Sequence, residues 1–202
     1  MNKNIIFDIG NVLVDFRWKE YLEEFGFGEE ISRQIGEAIV LNPVWDEMDL
    51  GEKSREQLIA LFVECLPQYK SQIQSIFGDL RNMLKSREGT IPWIKELKER
   101  GFGVYYLSNY SQVAYEDCYH TLDFLPYMDG GILSFQDKLI KPDPRIYQLL
   151  LERYQLDPRS CIFLDDKKEN CDAAIKCGIE SIVFTNRDEI EKQLEDFLNT
   201  NY

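Results

Sequence analysis

Residues 4–13 read Asn4-Ile5-Ile6-Phe7-Asp8-Ile9-Gly10-Asn11-Val12-Leu13, an apolar run that ends abruptly in a carboxylate. Four residues of this kind before a polar break are the signature of a short strand buried on both faces, since a half-exposed strand would alternate. Three further runs repeat the pattern. Gly103-Val104-Tyr105-Tyr106-Leu107 is followed by Ser108-Asn109, Cys161-Ile162-Phe163-Leu164 by Asp165-Asp166, and Ser181-Ile182-Val183-Phe184 is the last. Helical patterns with recognisable ends lie between them. Ile91 to Arg100 stops at Gly101, Asp143-Pro144 supplies an N-cap and a proline at N1, Glu169 to Cys177 stops at Gly178, and Asp188 opens a final amphipathic stretch. Strand alternating with helix predicts an α/β fold whose core is a doubly wound, Rossmann-like parallel sheet covered on both faces.

Residues 16–88 break the rhythm. They carry helical periodicity, a Ser54-Arg55-Glu56-Gln57 capping box and no convincing strand. The expected organisation is a core built from 1–15 and 89–202, with an all-helical cap at 16–88 over the carboxyl edge of the sheet. Ligands of open α/β sheets bind at that edge.

Bulk composition narrows the function. A formal net charge of −13 disfavours nucleic acid as a partner, because phosphate backbones need clustered lysine and arginine. An anionic chain that handles phosphate must make its own local positive potential, so cations are expected where the site is. No apolar run reaches the roughly 18 residues of a membrane span, and Met1-Asn2-Lys3-Asn4 leads straight into the first strand without a secretory signal. Five cysteines form no CxxC pair, and their odd number argues against a disulfide framework. The expected setting is the reducing cytoplasm. Oligomeric state is not legible.

The residues at the strand ends suggest one chemistry. Singly each has an ordinary reading: Asp8 or Ser108 as a helix cap, Lys141-Pro142 as a solvated turn. Asp165-Asp166 resists it, because adjacent carboxylates at a buried edge repel unless a positive charge lies beside them. Together they fit hydrolysis of a phosphate monoester. Asp8 would be the nucleophile, forming an aspartyl-phosphate that water cleaves. Asp8, the backbone carbonyl of Gly10 and Asp166 would hold Mg²⁺, which favours hard oxygen ligands. Ser108, backbone N–H groups and Lys141 would cradle the phosphate.

The pattern Phe7-Asp8-Ile9-Gly10-Asn11-Val12-Leu13, Leu107-Ser108-Asn109, Lys141-Pro142 and Phe163-Leu164-Asp165-Asp166 with Asn170 resembles the haloacid dehalogenase superfamily in order and spacing. Within it, Asp-Ile-Gly-Asn-Val and the closing Asp-Asp look most similar to bacterial sugar phosphatases of the α-glucose-1-phosphate phosphatase type. The resemblance implies catalytic roles for Asp8 and Lys141, phosphate binding by Ser108 and Lys141, and metal binding by Asp8, Gly10 and Asp166. It also implies support of the metal shell by Asp165 and Asn170, and an Asn109 that borders the substrate, a small phosphorylated metabolite. Many phosphatases of this superfamily carry a second Asp two residues after the nucleophile, as acid and base. Gly10 stands there instead, and Asp15 is the nearest carboxylate in sequence to take over. That departure keeps a non-catalytic phosphate-binding or regulatory protein open as an alternative. A metal-independent 2-haloacid dehalogenase is the other, although it has no use for Asp165-Asp166. His120 reads as a packed or surface residue, and Trp18, Trp45 and Trp93 as core or cap anchors, with Trp45 able to line a substrate pocket.

Overall fold

A computed structural model describes residues 3–199. The chain opens on β1 (Asn4–Phe7) and β2 (Val14–Phe16). Five helices follow: α1 (Trp18–Glu24), α2 (Glu29–Val40), α3 (Val44–Leu50), α4 (Arg55–Cys65) and α5 (Lys70–Gly78). The strand β3 (Leu84–Ser86) then returns antiparallel beside β2. Beyond it come α6 (Thr90–Glu99), β4 (Gly103–Ser108), α7 (Gln112–Cys118), β5 (Gly130–Leu133), α8 (Ser134–Asp137) and α9 (Pro144–Tyr154). The chain finishes with β6 (Cys161–Asp165), α10 (Lys168–Lys176), β7 (Glu180–Val183) and α11 (Arg187–Asn199).

Five strands form one parallel sheet in the order β5-β4-β1-β6-β7. The chain winds outward from β1 through β4 and β5, then returns to the other side of β1 through β6 and β7. This is the doubly wound topology expected, with its switch point at β1. Strand periodicity explains the two cores. Ile5 and Phe7 of β1 and Ile162 and Leu164 of β6 pack with Trp93, Ile94, Ile190 and Leu194. Ile6, Cys161 and Phe163 pack with Ile146, Tyr147 and Ala174 on the opposite face. Phe7 meets Trp93 edge-on at 4.9 Å between ring centroids, and Phe163 meets Tyr147 at 5.8 Å on the other side. Among the described residues no helix is long and apolar enough to cross a membrane.

Three strands depart from the sequence reading, β2 with its partner β3 and β5. β5 contains Gly130-Gly131 and lies outside the runs read as strands, yet it pairs with β4. A Cβ on Gly131 would lie 2.3 Å from the Tyr106 carbonyl oxygen, so close approach of two backbones explains the glycine. β3 falls inside the 16–88 stretch expected to be wholly helical; only three residues long, it gains its partner from β2, some seventy positions earlier. The Ser54–Gln57 capping box read from the sequence starts α4.

The inserted helices are fastened to the sheet at defined points. Arg55 of α4 makes paired 2.8 Å hydrogen bonds to both carboxylate oxygens of Asp117 on α7. At the end of α3 the Ser134 hydroxyl donates to the Asp49 carbonyl at 2.6 Å, and the Lys138 ammonium donates to the Gly51 carbonyl. Gly51 closes α3 in the left-handed region (φ 64°), where a Cβ would come within 2.5 Å of the Phe135 Cβ. Both the backbone angle and the contact require glycine.

Asp49 is 7% exposed, and its carboxylate forms no hydrogen bond or ion pair among the described residues. Burial first, then the charges of Asp46 and Asp8, push its carboxyl up to about 7 against the opposing pull of Lys167 and Lys141. A folded-state value above the unfolded one means that this group's contribution to stability is full below about pH 4 and is lost as pH rises through about 7. Asp49→Asn should therefore unfold like the parent at pH 4 but be more stable at pH 8, by about 1–3 kcal/mol, as read by denaturant melts at both pH values. Gly51→Ala should lower stability by roughly 1–3 kcal/mol through strain and overpacking against Phe135, as read by thermal unfolding.

Candidate active site

Asp8 sits one residue past β1 at the switch point, its N–H donating to the Leu164 carbonyl at 2.8 Å so that the β1–β6 register carries through it. At 8% exposed it is buried. The Lys141 ammonium, 3% exposed, donates to Asp8 Oδ1 at 2.8 Å and to Asp165 Oδ2 at 2.6 Å. Burial works against a charged lysine, but the charges of Asp8 and Asp165 and the hydrogen bonds to both outweigh it and raise its pKa. Lys141 therefore stays protonated. Asp8 feels the same burial, opposed by Lys141 and reinforced by Asp165 and Asp166, and is pushed up to about 6. It remains largely ionised at neutral pH.

Neighbouring side chains hold this triad. The Asn109 amide oxygen accepts from the Lys141 N–H at 2.7 Å while its amide nitrogen donates to the Lys141 carbonyl at 2.9 Å. Asn109 lines the cavity, and its polar side-chain atoms clamp the lysine backbone. The Asp165 carboxylate, fully buried, accepts from Lys141, from the Lys167 N–H at 2.8 Å and from Asn170 Nδ2 at 3.0 and 3.1 Å. Asp166 differs. Its Oδ2 accepts from Asn11 Nδ2 at 2.8 Å, and its other oxygen has no partner among the described residues. Asn11 reaches it because its backbone is left-handed (φ 58°), a conformation asparagine tolerates.

Asp8, Asp165 and Asp166 each offer a carboxylate oxygen, and these atoms lie within 4.8 Å of one another. One ammonium offsets only one of the three negative charges, and an all-oxygen donor set with that surplus suits a hard divalent cation. Because Asp165 is occupied by Lys141, Asn170 and the Lys167 N–H, the donors left are the second oxygen of Asp8, Asp166 and the Gly10 carbonyl, whose residue also lines the cavity. Ser108 lines it too, 1% exposed, with only a long 3.5 Å contact from its hydroxyl to the Asn109 carbonyl. Ser111, not Ser108, caps α7, accepting from the Ala114 N–H at 3.0 Å, which leaves Ser108 free for a ligand.

The remaining expectations divide. Trp45 lines the cavity, whereas Trp18 and Trp93 pack in the core. His120 lies in a separate surface depression beside Tyr21 and Phe25. Asp15 is not brought to the cavity. It faces away on β2, where Arg87 Nε donates to it at 2.5 Å while the same guanidinium binds the Asn11 and Val12 carbonyls. Sequence proximity to Asp8 failed as a guide because the chain turns between them into a hairpin strand. The unexpected contributor is Asp49, which lines the cavity from α3 beside Trp45 and Met48. Trp45, Met48 and Asp49 stand at i, i+3 and i+4 on one helix face, and an acid sharing an apolar face was the available signal.

Comparison with known proteins agrees with this geometry. The phosphorylated carbohydrates phosphatase of Thermotoga maritima is 26% identical over 195 residues, covering 88% of this chain and 82% of that protein. The sesquiterpene phosphatase of Aspergillus oryzae is 25% identical over 188 residues, covering 91% and 90%. Two other curated relatives are far longer, and the chain spans 10% and 37% of their lengths. A family enzyme of Bacteroides thetaiotaomicron, solved with magnesium and inorganic phosphate, shares the fold with a TM-score of 0.70 at 23% identity, covering 92% and 95% of the two chains. The family model of haloacid dehalogenase-like hydrolases matches residues 3–178, and the chain belongs to that family.

Proposed function

We propose that this chain is a Mg²⁺-dependent phosphatase that hydrolyses a small phosphorylated metabolite, a sugar phosphate being the leading candidate, through an aspartyl-phosphate on Asp8. The observation that carries the reading is the division of labour at Asp8: Lys141 holds one carboxylate oxygen, and the other is left at a cavity that also presents Ser108 and the free oxygen of Asp166. The phosphatases among its relatives support the same chemistry. Sugar phosphates are favoured by the resemblance of the Asp8–Val12 stretch and by the carbohydrate phosphatase relative.

In the first step the free Asp8 oxygen attacks phosphorus in line with the ester oxygen, the P–O bond to the alcohol breaks, and the alcohol leaves with a proton. In the second, water attacks the same phosphorus, the Asp8–P bond breaks, and inorganic phosphate forms. Lys141 neutralises Asp8 enough for an anionic phosphate to approach, and the Ser108 hydroxyl donates to a phosphoryl oxygen. Mg²⁺ held by Asp8, the Gly10 carbonyl and Asp166 would supply further charge neutralisation at the phosphoryl group. Asp165 and Asn170 keep Lys141 and the start of α10 in place, and Asn109 fixes the lysine loop. Motion of the inserted helices as a cap would exclude water and select the substrate.

A panel of phosphorylated metabolites assayed for phosphate release is the direct test. Release should stop with EDTA and return with Mg²⁺, and Asp8→Asn should lower kcat by at least about 10³-fold. Halide release from 2-haloacids without phosphate release would favour the dehalogenase reading, and phosphate binding without turnover of any ester the regulatory one. Turnover by Asp8→Asn at the parental rate would overturn the mechanism.

A further inference from the structure

A phosphatase of this design needs a group to protonate the departing alkoxide and to deprotonate the attacking water, and Gly10 has no side chain for it. The cavity narrows the choice. Lys141 is bound between two carboxylates, Asp8 is the proposed nucleophile, and Asp166 is held by Asn11 and is a donor of the proposed metal site. Tyr110 lines the cavity, but its hydroxyl is fully buried without a partner and burial pushes its pKa far up. Asp15 is taken by Arg87.

Asp49 remains. We propose that Asp49, carried in by the cap helix α3, is the proton donor and acceptor of the reaction, in place of the side chain missing at Gly10. Asp49 lines the same cavity as Asp8, is 7% exposed, and its carboxylate makes no hydrogen bond among the described residues. Its backbone is tied to the core by Ser134 Oγ, which also accepts from the Tyr110 N–H at 2.9 Å, next to the phosphate-binding strand end. The docking of Gly51 against Phe135 fixes the same helix end. Space in front of Gly10 is open, since a Cβ there meets nothing within 4 Å, so a group approaching from the opposite wall is not blocked. The charged groups that act on Asp49 are Lys167 and Lys141 from the core, Asp46 on its own helix and Asp8, and their balance with burial leaves the carboxyl at about 7, suited to giving and taking a proton near neutrality.

The proton balance closes. As Asp8 attacks, the proton of the Asp49 carboxyl passes to the leaving oxygen while its P–O bond breaks. The Asp49 carboxylate then takes a proton from the water whose oxygen attacks the aspartyl-phosphate, which restores both aspartates.

This inference rests on the phosphatase reading, and leaving-group dependence tests it separately. In Asp49→Asn, kcat/KM should fall a few-fold for p-nitrophenyl phosphate, whose phenolate needs little protonation, and by about 10² or more for an alkyl ester such as glycerol phosphate. The fall of the parent's alkyl-ester kcat/KM above about pH 7 should vanish in the variant. Adding Gly10→Asp to Asp49→Asn should recover at least a tenth of the lost alkyl-ester activity. Equal losses for both esters, as a purely structural role would give, or no loss for either would overturn the assignment of Asp49. A parent protein that hydrolyses neither ester would overturn the phosphatase reading and this inference with it.

Discussion

A single buried ammonium between two buried carboxylates is the constraint on which the site depends. Lys141 comes from a loop, Asp8 from the end of β1 and Asp165 from the end of β6, and each is nearly or wholly removed from water. Charges so placed are stable only in company, because losing one leaves the others desolvated and unpaired. The surrounding hydrogen bonds follow from that requirement. Asn109 clamps the lysine backbone from both sides, and Asn170 with the first turn of α10 holds Asp165. The result is an asymmetric Asp8, with one oxygen tied down and one left for chemistry.

The charge of the whole chain makes this arrangement necessary. A protein of net charge −13 repels an anionic ligand at long range, and its site must reverse that sign locally. Lys141 and Lys167 place positive charge at the cavity from the core, beside the carboxylates of Asp8, Asp165 and Asp166. The inserted helices bring the apolar Trp45 and Met48 and the acid Asp49 to the opposite wall. The two walls of the cavity therefore come from different parts of the chain, the strand ends on one side and α3 on the other.

The fold alone would not have separated a phosphatase from a dehalogenase. Function in such a scaffold is decided by side chains at the strand ends. Here the second carboxylate of the Asp165-Asp166 pair keeps one oxygen without a partner among the described residues after Asn11 is satisfied.

From the order of residues alone, the doubly wound sheet, the helical insertion and the cluster of Asp8, Ser108, Lys141 and Asp165-Asp166 were legible, because buried parallel strands are continuous apolar runs that end at the ligand edge. β5, β2 and β3 were not: a Gly-Gly strand and two three-residue strands have no local signal, and all three exist only through pairing with distant segments. The proximity of Asp15 to Asp8 in sequence was misleading, since a hairpin carries Asp15 to Arg87. Asp49, some forty positions from the nucleophile, reaches the cavity because Ser134 and Phe135 pin the end of α3 against the core. Local pattern determined which elements form and which chemistry their ends carry. Only tertiary packing decided which charges meet, since burial and pairing are properties of the assembled layers.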